Sequence, residues 1–222
     1  MRHRFLAATA TGSGRPPRVL LRSSWQSVNI GDVGHTPGAL SLLYRHFPEV
    51  EITLWPRDLS LGARELLTRN YPRLRIVEGG LDEAGRPVAS ALAQAWAETD
   101  LMLGGSGSGF PAARELAAFL RATAKPVGVF GVSTDPVSAS ASFIPGGDPE
   151  GGTLRQLRAR ALALPSGRLS AEWRFILDRA AFFFCRDTIS RDYLQLQGVR
   201  RGAPARGRGV AAACRLPGRH PG

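Results

Sequence analysis

Lysine is almost missing from this 222-residue chain: Lys125 is the only one among 29 basic residues. Histidine and cysteine are scarce as well. The four histidines are His3, His35, His46 and His220, and no two share an H-x-x-x-H or H-x-H spacing. Cys185 and Cys214 are the only cysteines, too few for a disulfide framework or a four-ligand zinc site. Metal chemistry is therefore not expected. No run of 18 apolar residues occurs, which excludes a transmembrane helix within this sequence. Aromatic residues make up only 8%, the arginines are scattered, and no nucleic-acid-binding motif is present, so a nucleic-acid partner is not expected either.

The preference for arginine over lysine points to a GC-rich gene, because arginine codons carry more G and C. The formal charge of +11 is spread unevenly. Residues 201–222 hold five arginines and no acid, which leaves 24 basic and 18 acidic groups in residues 1–200. That tail, RGAPARGRGVAAACRLPGRHPG, has no periodicity of 2 or 3.6. It reads either as a basic arm for an acidic partner or as out-of-frame translation of a GC-rich gene. Both readings predict an unfolded segment.

What is present suits a globular domain: 43% hydrophobic and 21% charged residues, in a chain long enough to bury a core. Residues 1–17, MRHRFLAATATGSGRPP, read as an unfolded start. Arg2-His3-Arg4-Phe5-Leu6 has the look of a twin-arginine leader with one arginine replaced by histidine, but the LAATA that follows is shorter than an export segment needs. A cytoplasmic location is expected, with export through a degenerate leader as the alternative.

From Arg18 the chain alternates between two periods. Strands are predicted at 18–25, 50–55, 74–79, 101–105, 126–132 and 181–185. Helices are predicted at 37–47, 61–70, 87–98, 111–124 and 188–197, with Pro37, Pro87 and Pro111 near first turns and Gly198 as a stop. Such alternation argues for βαβ units, and runs such as Phe182-Phe183-Phe184 suit strands covered on both faces. The expected fold of residues 18–200 is a Rossmann-like parallel α/β sheet of about six strands with helices on both faces. Residues 133–168, rich in glycine and proline between Pro136 and Gly152, interrupt the rhythm as a long insertion in which 154–164 forms a short helix.

Ligands of an open parallel sheet sit beyond the carboxyl ends of its strands, near helix N-termini. Three segments would converge there. The first is the nine-residue loop Ser27–His35, where Gly31 and Gly34 permit close approach, Asp32 can act as a base and Asn29 can hold a ligand. Turn bonding and helix capping are the alternative roles for Asn29 and Asp32. His35 is either an acid–base partner of Asp32 or a structural residue. The second segment, Gly104-Gly105-Ser106-Gly107-Ser108-Gly109, lacks the last glycine of G-x-G-x-x-G and a P-loop lysine. NAD and Walker-type ATP sites are disfavoured. What remains is an anion cradle of N–H groups and hydroxyls, or a tight turn. In the third, Cys185–Ser190, Arg186 can pair with an anion, Asp187 caps a helix and Cys185 belongs to the core.

Taken together, Asn29-x-Gly31-Asp32, the Gly-Ser-Gly run at 104–109, and Phe184-Cys185-Arg186-Asp187-Thr188-Ile189-Ser190 with Tyr193-Leu194 and Gly198-Val199 resemble the polysaccharide pyruvyl transferase family, over roughly residues 18–200. The resemblance implies a lobe of a two-domain, GT-B-like enzyme that moves the enolpyruvyl unit of phosphoenolpyruvate onto two sugar hydroxyls. Phosphoenolpyruvate is then a substrate, a polysaccharide or oligosaccharide is the acceptor, and no cofactor is implied. Asp32 and His35 would carry acid–base chemistry, while Asn29, Gly31, Gly105, Ser106, Gly107, Ser108 and Arg186 would bind substrate. Family members continue with a second α/β domain where this sequence has its low-complexity tail. The expectation is an N-terminal half, truncated or frameshifted after about residue 200, with little turnover and an exposed apolar cleft face prone to association.

Overall fold

A computed structural model describes residues 14–23, 27–28, 30–134 and 169–199. Its strands are β1 (Arg18–Ser23), β2 (Glu51–Pro56), β3 (Arg75–Ile76), β4 (Leu101–Ser108), β5 (Val127–Ser133) and β6 (Phe182–Cys185). Its helices are α1 (Ile30–His46), α2 (Ala63–Asn70), α3 (Ser90–Glu98), α4 (Ala113–Thr123), α5 (Ala171–Leu177) and α6 (Thr188–Leu196). The strands form one parallel sheet in the order β3-β2-β1-β4-β5-β6, the Rossmann-like arrangement expected from the sequence. The described residues fall into two compact units, one up to Ser106 together with Pro111–Val127, the other Gly107–Phe110 together with the residues from Gly128 on.

In the first unit β1 is buried over five of its six residues, as a central strand covered on both faces must be. Alternation decides which helix each side chain meets. Ser23 faces α1, where its hydroxyl lies 2.8 Å from that of buried Thr36. Arg22 faces the opposite way, toward Glu115 of α4. The aromatic core on that side stacks Trp55 edge-on against Trp96 and Trp96 against Phe119. At the amino end of β1, Asp100 receives a bidentate bond from Arg15 at 2.7 and 2.9 Å and the Arg18 N–H at 2.9 Å. Burial pushes the Asp100 carboxyl up, but these donors outweigh it and hold it below the ordinary carboxylate range.

Several boundaries differ from those expected. The first helix starts at Ile30, seven residues before Pro37, so the proline lies inside α1 and not in its first turn. The tertiary pairing of Ser23 with Thr36 and a hydrogen bond from the Tyr71 hydroxyl to the Pro37 carbonyl hold this stretch against β1 and the end of α2. Pro87 and Pro111 precede α3 and α4 instead of opening them. The third strand shrinks to Arg75–Ile76: after a last bond from the Val77 N–H to the Leu54 carbonyl of β2, the chain turns away through Gly79 at φ +150°. The fourth extends to Ser108 and takes in most of the glycine–serine run.

The second unit has its own apolar packing. Phe110 meets Trp173 of α5 edge-on at 5.0 Å and Phe183 of β6 at 6.2 Å. On the other side of β6, Phe182 stacks on Phe184 and lies over Gly128. A Cβ at Gly128 would stand 2.3 Å from the Phe182 ring. The pairing of β5 with β6 slips between Phe130 and Val132, where Gly131 takes φ +65°, a bulge that only glycine adopts readily. Helix α6 ends as Gly198 foretells: at φ +70° it lets its own N–H reach Gln195 and that of Val199 reach Leu194. Helix α5 has no counterpart among the predicted elements. The expected helix at 154–164 and most of the expected insertion lie outside the described residues.

Candidate functional site

The strand order reverses between β1 and β4, and open α/β sheets bind ligands beyond the carboxyl ends of the strands at such a reversal. Within the first unit, Arg22 of β1 pairs with Gly104 of β4 in register; β4 passes into the second unit after Ser106. The chain leaves β1 at Ser23 and enters α1 at Ile30. Gly31 and Asp32 therefore occupy the first turn of a helix, and His35 its second, where a nine-residue loop was expected. The first turn is the electropositive end of the helix dipole, suited to an anion or a polarised hydroxyl. Gly31 is exposed and His35 half-buried. Asn29 and the side chain of Asp32 lie outside the described residues.

The glycine–serine run is strand, not loop, and its first glycine has a packing reason. A Cβ on Gly104 would stand 2.5 Å from Leu116 Cδ1 and 3.0 Å from Ala112 Cβ, so α4 closes onto β4 only over glycine. Gly105 and Gly107 are buried as well. The side chains of Ser106 and Ser108 lie outside the described residues. Gly109, at φ +71°, then turns the chain toward Phe110 and α4.

Arg22 belongs to no motif of the sequence, yet among the described residues it is the main buried charge at this end of the sheet. Its side chain is 8% exposed. Its Nη2 donates to Glu115 Oε1 at 2.8 Å and its Nη1 to the Trp55 carbonyl at 3.1 Å, while the guanidinium lies 4.6 Å from the Trp55 ring centroid. Burial pulls its pKa down and Glu115 opposes that shift. The available signal was a lone arginine inside the apolar strand VLLRS. Asp58, just beyond β2, accepts the Ser60 N–H at 2.9 Å and the Ser60 hydroxyl at 3.1 Å, bonds that hold its carboxyl below the ordinary range.

In the second unit Arg186 is exposed at the point where β6 leaves the sheet, and its N–H donates to the Val132 carbonyl. Asp187 caps α6 as read from the sequence: its carboxylate accepts the Ser190 N–H at 2.7 Å. That bond, more than any other cause, holds the Asp187 pKa down. Buried Ser190 in turn accepts the Thr134 N–H at 2.8 Å, tying the end of β5 to the first turn of α6. Cys185 is half-buried in β6 and takes part in no disulfide.

The proposed site residues thus divide between the units. Gly31, Asp32 and His35 on α1, with Gly105 and Ser106 on β4, belong to the first; Gly107, Ser108 and Arg186 belong to the second. Among the described residues no group of His, Cys, Asp and Glu forms a metal-binding set. None of the described helices is long and apolar enough to cross a membrane.

The fold defines the class as a Rossmann-like α/β protein. No family model matches the chain, and neither does any curated protein. Among solved structures it is similar to a short-chain dehydrogenase/reductase from Veillonella parvula DSM 2008, with 17% identity and a TM-score of 0.37 over 77% of this chain and 67% of the other. It is also similar to a chain of the GtfA/B complex, with 14% identity and a TM-score of 0.35 over 83% of this chain. The match spans 36% of that chain's length. Scores this low assign no family, and the strand order alone defines the fold.

Proposed function

We propose that this chain is a lobe of a polysaccharide pyruvyl transferase-like enzyme. In the reaction, two glycan hydroxyls form bonds to the enol carbon of phosphoenolpyruvate, and its methylene takes up a proton to become methyl. The C–O bond to phosphate breaks, phosphate leaves with the other hydroxyl proton, and a pyruvate ketal remains on the sugar. The observation that carries the reading is the place of three sequence segments. Gly31-Asp32 of Asn29-x-Gly31-Asp32 sits in the first turn of α1, the glycine–serine run forms the second half of β4, and Arg186-Asp187-x-x-Ser190 runs from the end of β6 into the first turn of α6. Each lies at or just beyond the carboxyl end of a parallel strand, the region where such sheets bind their ligands.

In this reading Asp32 takes the proton of an acceptor hydroxyl, and His35 serves as its acid–base partner. Asn29, Gly31 and the run Gly105–Ser108 hold the acceptor and its anionic donor, and Arg186 pairs with a carboxylate or phosphate. The exposed apolar side chains of the first unit support a docking surface beside that end of the sheet: Val28 is 78% exposed, Ile30 89% and Leu61 77%. The partner is a second α/β lobe that closes over the substrates.

The test is phosphate release from phosphoenolpyruvate by the full chain with a panel of bacterial polysaccharides, read together with a calorimetric titration of phosphoenolpyruvate. Saturable phosphoenolpyruvate binding with only slow acceptor-dependent release, lost in Asp32→Asn, is the expected result. Saturable phosphoenolpyruvate binding without release would reassign the chain as a non-catalytic anion- or glycan-binding lobe. Neither binding nor release would overturn both readings.

A further inference from the structure

We draw no further inference here: the strongest candidate, the cavity of about 200 Å³ at the amino end of the sheet lined by Arg18, Arg73, Arg75, Glu51 and Glu98, carries nothing because those guanidiniums are already engaged by the two glutamates, the Pro48 carbonyl and the Tyr44 ring.

Discussion

At the scale of single residues, Gly104 of β4 and Arg22 of β1 do structural work that their sequence context disguises. Gly104 looks like the start of a ligand cradle but is the floor on which α4 rests. Gly104→Ala would force Leu116 and Ala112 outward. It should cost about 1–3 kcal/mol in urea unfolding, the usual penalty of overpacking. A neutral result would mean that α4 sits less closely on the sheet than described. Arg22 and Glu115 form the complementary case. Removing one partner strands the other charge in a region of low polarity. Glu115→Gln should therefore destabilise by about 3 kcal/mol, while a joint Arg22→Met, Glu115→Leu exchange should recover much of the loss. Equal costs for the single and the double change would show that packing, not charge, governs the site. Neither role was legible in the sequence, because close approach of a helix and burial of an arginine are properties of tertiary neighbours. Asp187 was legible. Its cap depends only on a carboxylate three residues before the Ser190 N–H.

At the scale of elements, the strands were the clearest part of the sequence and the helix starts the least. Apolar runs such as VLLRS and VGVFGV mark central strands whatever surrounds them. Helix starts were read from prolines, and that signal failed where tertiary contacts extend the helix past it. In α1 the Val33 carbonyl faces Pro37, which has no N–H to give it. Helix α5 leaves little trace in the sequence, although Ser170 caps it, accepting the Trp173 N–H at 3.2 Å, and Trp173, Ile176 and Leu177 recur at helical spacing. Its seven residues are too short for that periodicity to stand out. The placement of α1 can be checked through its proline. If the helix begins at Ile30, Pro37→Ala restores an interior bond and should raise stability by about 2 kcal/mol. That figure is the interior-proline penalty less the flexibility gained by the unfolded chain. If the helix instead begins at Pro37, the substitution should be neutral or slightly destabilising, since proline is favoured in a first turn.

At the scale of the whole molecule, the charge balance sets how the protein meets acid. The formal charge of +11 at neutral pH rises to +29 once the 18 carboxylates are protonated, before the histidines add theirs. Self-repulsion on this scale disfavours the compact state. A specific effect is superimposed on it at Asp100. The folded pKa of this carboxyl is depressed below its unfolded value of about 3.9, so its stabilisation is complete above that value and is lost as pH falls through the folded one. Salt separates the two effects. Exposed like charges are screened within about 8 Å at 0.15 M ionic strength, whereas a half-buried bidentate pair is screened much less. The urea midpoint should therefore fall between pH 7 and pH 3, and added salt should restore only part of the fall. Asp100→Asn should start lower at pH 7, having lost the carboxylate that joins Arg15, the Arg18 N–H and the field of Lys125. It should then lose less on acidification than the parent chain. An equal loss in both would assign the whole acid response to net charge and leave the Asp100 contacts without a part in it.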